Sequence, residues 1–169
     1  MRPNQPKQSS LTRRVSQALP AYRYIPGQNP HPIQNENGHL FGQPLLTCAT
    51  QENRCQLWGY GLDLFDHHYM WEAHEVWERL WHFHRQECDR ANLIQGLILA
   101  AASCLKWGMG AEPQARRLLT RARLKVPNQN GISVGIDFHA SLNSVEQYLA
   151  TGLRPKIVNT LSDGWRHWP

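Results

Sequence analysis

Beyond about residue 50 the apolar residues recur mainly at helical spacing, and no convincing pair of alternating, strand-like segments occurs anywhere. The strongest run predicts a helix from about Asp63 to His84. At about 100° per residue, Met70, Ala73, Trp77, Leu80, Trp81 and His84 share its apolar face. His74 falls on the border of that face, with Glu78 one turn further on, while Glu72, Glu75 and Arg79 occupy the opposite, polar side. A second helix is predicted over Asn92 to Trp107, carried by Leu93, Ile94, Leu97, Ile98, Ala101, Cys104 and Leu105.

Punctuation residues divide the remainder. Gly108 and Gly110 end the second helix, and Pro113 suits the first turn of another that reaches about Val126. Residues 128–135 read as a loop. Asp137 or Ser141 caps a further helix to about Ala150, which Gly152 and Pro155 terminate. A less regular helix starts near Thr50 or Asn53, and Gly59 and Gly61 are expected to break it. The fold class is therefore all-α: a compact bundle of about four to six helices with an extended N-terminal arm.

The arm is defined by composition. Residues 20–44 carry five prolines and three glycines, which oppose helix by removing backbone donors and biasing the residues before each proline. Tyr22, Tyr24, Ile25, Leu40 and Phe41 give it apolar surface that a free linker would not need, so it is expected to pack on the domain. The organisation expected is a disordered basic tail over 1–19, the arm over 20–58, a helical domain over 59–155 and a C-terminal extension over 156–169.

Charge sharpens this division. Arg2, Lys7, Arg13, Arg14 and Arg23 precede the first acid, Glu36, and account for the whole formal charge of +5. Asp63, Asp66, Glu72, Glu75 and Glu78 make one helix acidic, whereas Arg116, Arg117, Arg121, Arg123 and Lys125 make a later one basic. Such helices suit assembly into a homo-oligomer through complementary surfaces, and the basic one, with the tail, is the alternative candidate for nucleic acid. No run of eighteen apolar residues exists, so no membrane-spanning helix is expected. Cys48, Cys55, Cys88 and Cys104 show no CxxC spacing and no signal peptide precedes them, so free thiols in a cytoplasmic setting are expected.

The chemistry concentrates in Trp71-Glu72-Ala73-His74-Glu75-Val76-Trp77-Glu78-Arg79-Leu80-Trp81-His82-Phe83-His84. His74 and Glu78, at positions i and i+4, can together hold a divalent metal. A zincin HExxH motif would need histidine where Glu78 stands, and the Glu-x-x-His pattern of di-iron bundles is missing from this helix. Further ligands would come from His67, His68 or His82, or from His31 and His39 on the arm. The rival reading is a structural His–Glu pair hydrogen-bonded between helices. Trp77 and Trp81 read as core, Trp71 as a wall beside Glu78. Gln95 stands out as an amide in an apolar helix, and Lys106 is placed to reach a carboxylate on the first helix. Serine-nucleophile elbows and glycine-rich phosphate loops are absent from the sequence.

LFDHHYMWEAHEVWERLW, then LIQGLILAAASCLKWGMG, then ARRLLTRAR is an ordered combination that resembles the helical domain-of-unknown-function family 309, over about residues 60–125. The arm AYRYIPGQNPHPIQNENGHLFG is similar to that of a longer subgroup. The resemblance implies a small, all-helical, mainly bacterial or archaeal protein without an established activity. Its site region would be Glu72, His74, Glu75, Glu78 and Trp81 on one helix and Gln95 on the next. The expectation is a polar His/Glu site between the two main helices, binding a metal or small ligand, with no reaction assigned.

Overall fold

The computed structural model describes residues 12–127, 132–133 and 135–160. Among the described residues five helices follow one another: α1 (Gln51–Asp66), α2 (Met70–His84), α3 (Cys88–Gly108), α4 (Glu112–Lys125) and α5 (Phe138–Thr151). Central α3 packs against α2, α4 and α5, and α1 lies on α2. Trp58, Phe65, Trp77, Leu80, Ile94, Leu97 and Phe138 are fully enclosed in the core where these helices meet. No helix among the described residues is long and apolar enough to cross a membrane.

Several boundaries sit where the chain's cap chemistry puts them. Thr50 Oγ1 accepts from Asn53 N at 3.1 Å to start α1. Pro113 occupies the first turn of α4, the Asp137 side chain caps α5, and Gly152 ends α5 in the left-handed conformation at φ 75°. α3 begins at Cys88, ahead of the expected start at Asn92.

The predicted 63–84 helix is in fact the end of α1 and the whole of α2, and the break is not at the glycines. α1 runs straight through Gly59 and Gly61. Gly61 is needed for a different reason: a methyl there would lie inside the Trp77 indole, so its small size lets α1 and α2 close on each other. The chain breaks instead at His67–Tyr69. His68 N donates to Phe65 O at 2.9 Å and Tyr69 N to Leu64 O at 2.8 Å, with His68 at φ +71°. This is a Schellman-type ending in which histidine stands where glycine is usual. Sequence punctuation misses it because no glycine marks it.

A small sheet also departs from the expected all-helical pattern. Strands β1 (Ile132–Ser133), β2 (Ile136–Asp137) and β3 (Val158–Asn159) pair antiparallel in the order β1-β2-β3. Ile136 faces Asn159 and Asp137 faces Val158, which ties the chain after α5 back onto the domain. Strands of two residues are too short to show alternation in the sequence. Part of the expected 128–135 loop is thus β1; residues 128–131 and 134 lie outside those described, as do 1–11 and 161–169.

Residues 12–19, assigned by the sequence to the tail, run along α1. The Arg14 guanidinium donates to Asp63 Oδ1 at 3.1 Å and Asp66 Oδ2 at 2.8 Å, while Arg14 N and Val15 N also donate to Asp63. Tyr60 Oη donates to Ala18 O at 2.9 Å. Two buried carboxylates thereby recruit a stretch that looks unstructured by composition alone.

Candidate functional site

The polar side of α2 is covered by the arm. Tyr24 N donates to Glu72 Oε1 at 2.8 Å, and Trp71 packs edge-on against Tyr24 and His31 at 5.0 and 5.3 Å between ring centres. At the far end of the arm, Arg79 Nη1 donates to Leu46 O at 3.0 Å. Helical angle places Glu72 on the side away from the core, yet it is only 3% exposed because a distant segment lies over it. Burial pushes its carboxyl up to about 7, against the opposing pull of the Tyr24 N–H and Arg23. His39 Nε2 lies 3.7 Å from Glu72 Oε1, and burial lowers the pKa of its imidazole.

His74, Glu75 and Glu78 come together further along. Their ligand atoms all lie within 4.8 Å of one another, and all three residues are half-buried. His74 Nε2 to Glu78 Oε2 is 3.9 Å, with 29% and 43% of the two side chains exposed, so this is not the enclosed structural pair considered above. Glu75 is held above the usual carboxylate range by burial, with His74 pulling it back and Glu78 pushing in the same direction as burial. Residues i, i+1 and i+4 share a helix edge, so one turn of α2 is enough to converge the three.

Beside the cluster is a pocket of about 130 Å³ lined by Ile33, Leu40 and Leu45 of the arm and Glu75, Glu78, Arg79 and His82 of α2. The arm roofs this pocket, and no residue of α3 lines it. Glu72 and the cluster lie on successive turns of α2 beneath the arm, but Glu72 is engaged by Tyr24 N and His39. Trp81 is half-buried at the edge of the core. Gln95 and Lys106 are half-buried on α3, and among the described residues no hydrogen bond joins either to the cluster.

The other proposed histidine ligands disperse. His67 Nδ1 meets Asp63 O at 2.8 Å, His68 meets Tyr148, and His31 Nδ1 accepts from Ile33 N at 3.2 Å. Only His82 lines the pocket. Cys104 is buried, and its thiol is pushed well up by that burial. The four cysteines are unbridged.

Sequence reasoning missed the roles of His39 and of the Arg14–Asp63–Asp66 group. For the latter a signal existed, since Asp63 and Asp66 sit three apart among Leu62, Leu64 and Phe65. Carboxylates in such a setting need a cation, although nothing local says that Arg14 supplies it.

Residues 58–118 match the model of the family described as Domain of unknown function (DUF309). The match contains every candidate site residue from Glu72 to Lys106, while the arm lies outside it. No curated protein and no solved structure matches the chain.

Proposed function

We propose that α2 and the arm form a binding site for a divalent cation, held by His74, Glu75 and Glu78 and open on one side to a small ligand in the adjoining pocket. The observation that carries this reading is the convergence of one imidazole and two carboxylates within 4.8 Å at half-buried positions. That donor set suits borderline and hard divalent ions such as Zn²⁺ or Mn²⁺. All three donors come from one helix edge, which leaves the opposite coordination positions free. The pocket of about 130 Å³ beside them has room for a small polar molecule. Arg79 and His82 on the pocket wall supply groups able to orient an anionic end of such a ligand.

Metal analysis of the purified full chain, with calorimetric titration of Zn²⁺ and Mn²⁺, tests the reading. Binding of one ion per chain is expected, with loss in His74→Ala and strong weakening in Glu78→Gln. Equal binding by wild type and both variants, or none by the wild type, overturns it. We assign no reaction. Four cysteines outside any disulfide favour a reducing, cytoplasmic setting as part of this reading.

A second reading concerns α4 as a partner-binding surface. Leu124 is 80% exposed among Arg117, Arg121 and Arg123, which favours contact with another chain. The acidic helix offered as the complementary half has its Glu72 side covered by the arm, so self-assembly would use another acidic surface. Solution mass at low and high salt checks this: a monomer at both removes it. Nucleic acid remains the alternative partner for the same basic face, and a steep salt dependence of oligonucleotide binding would identify it.

A further inference from the structure

We propose that the turn between α1 and α2 is a binding site for a single phosphate group, gripped between Arg23 of the arm and Arg154 of the segment after α5. Two stretches distant in sequence converge on this turn. On one side the arm crosses the start of α2: Tyr69 Oη donates to Pro20 O at 3.1 Å, Tyr24 N donates to Glu72, and between those anchors the Arg23 guanidinium lies over the Tyr69 ring at 5.4 Å. On the other side Tyr148 Oη lies 3.3 Å from His68 Nε2, with the two rings edge to face, and Ile157 N donates to Asp66 Oδ1 at 2.7 Å. Arg154 falls between residues 148 and 157, both fastened to residues 66–68. The charge of Arg154 acts on Arg23, and the charges of both act on His68.

Glu72 acts on Arg23 electrostatically, but no carboxylate among the described residues pairs with this positive charge. Among the described residues neither Arg23 nor Arg154 forms an ion pair. The nearby carboxylates accept elsewhere, Asp63 and Asp66 from Arg14 and Glu72 Oε1 from Tyr24 N. His68 Nδ1 is buried without a hydrogen-bond partner. In the tautomer where Tyr148 donates to Nε2, Nδ1 carries a proton and is a donor without an acceptor. Two guanidinium forks and a ring N–H around one turn are the donor set that a tetrahedral oxyanion satisfies. The left-handed backbone of His68 at φ +71° holds the imidazole in this position, at a cost that the surrounding contacts must offset.

The test is calorimetric titration of the metal-free full chain with inorganic phosphate and, separately, with phenyl phosphate, in chloride buffer at constant ionic strength. One phosphate per chain is expected. Tighter binding of phenyl phosphate would identify a phosphomonoester as the ligand, and tighter binding of phosphate would identify the free anion. Arg154→Gln should weaken binding by about tenfold or more, corresponding to loss of one charge-assisted contact, whereas Lys156→Gln, two residues away and exposed, should not. Arg154 is exposed, so its replacement leaves the core intact. Because no metal is present, the result is independent of the His74 cluster. No binding of either phosphate beyond that of chloride, or equal binding by wild type and Arg154→Gln, overturns the proposal.

Discussion

Asp63 with Asp66 on α1 and Glu72 on α2 are buried to similar depth, and the N-terminal segment treats them in opposite ways. The aspartates are 1% and 8% exposed, and between them they accept from Arg14 N, Arg14 Nη1, Val15 N and Ile157 N. Glu72 is 3% exposed, accepts from Tyr24 N, and has Oε2 without a partner beside an imidazole 3.7 Å away. In the first group every carboxylate oxygen has a donor, although Arg14 Nε has no acceptor and burial still raises the pKa of Asp66. The second is a covered polar surface held at a cost, because a carboxyl without full compensation resists ionisation. The chain is thus fastened firmly at residue 14 and more loosely where it roofs the pocket, where adjustment to a ligand would be needed.

The largest effect is expected from Arg14→Ala, which leaves two carboxylates buried without their cation. A loss of about 3–5 kcal/mol in chemical denaturation would match a broken buried ion pair. A loss under about 1 kcal/mol would erase the contrast between the two sites.

Next comes Glu72→Gln, with a sign that depends on pH. A folded-state pKa raised from 4.5 to about 7 means that the folded protein holds the proton more tightly than the unfolded chain. Wild-type stability should therefore fall as pH rises from about 4.5 through 7, then level off, by about 3 kcal/mol in all. The glutamine variant should lack this slope and be the more stable protein above pH 7. Parallel stability–pH curves for the two proteins would show that Glu72 is compensated as fully as the aspartates.

A smaller change is expected at the arm's far attachment. Arg79→Met removes the bond to Leu46 O and should cost about 1.5–3 kcal/mol, with faster amide exchange over 40–46 than over 12–18. Equal exchange in both stretches would contradict the looser roof. The smallest effect belongs to His74→Ala, whose stability change should stay within about 0.5 kcal/mol because the side chain is half-exposed. A much larger loss would return His74 to a structural role.

The helices were legible where packing is local in origin. Leu93, Ile94, Leu97 and Ala101 repeat at helical spacing because one face of α3 must enter the core, and the structure buries all four. Asp137 and Gly152 bound α5 through backbone chemistry that needs no tertiary information. The α1–α2 break was hidden because His68 adopts a conformation usually reserved for glycine, with Tyr148 packed against its ring. Conversely, Gly59 and Gly61 read as breakers, although Gly61 is selected by the neighbouring Trp77.

At the candidate site, helical angle was enough to put His74 and Glu78 on a border, since that property belongs to one helix alone. It could not tell which segment faces that border. Gln95 and Lys106 were drawn in by the assumption that α3 does, whereas the pocket is closed by Ile33, Leu40 and Leu45.

The sequence by itself determined the apolar faces, most helix caps, the match of residues 58–118 to a family model and the pairing of His74 with Glu78 along α2. Each follows from periodicity, backbone conformation or residue order within a short span. Only the tertiary structure decided that Glu72 is buried, that Glu75 completes the cluster, that Arg14 neutralises Asp63 and Asp66, and that Arg23 lies over Tyr69. Those outcomes depend on where an irregular arm and a terminal segment settle. Contacts between residues 48 to 145 positions apart leave no period in the sequence to reveal them.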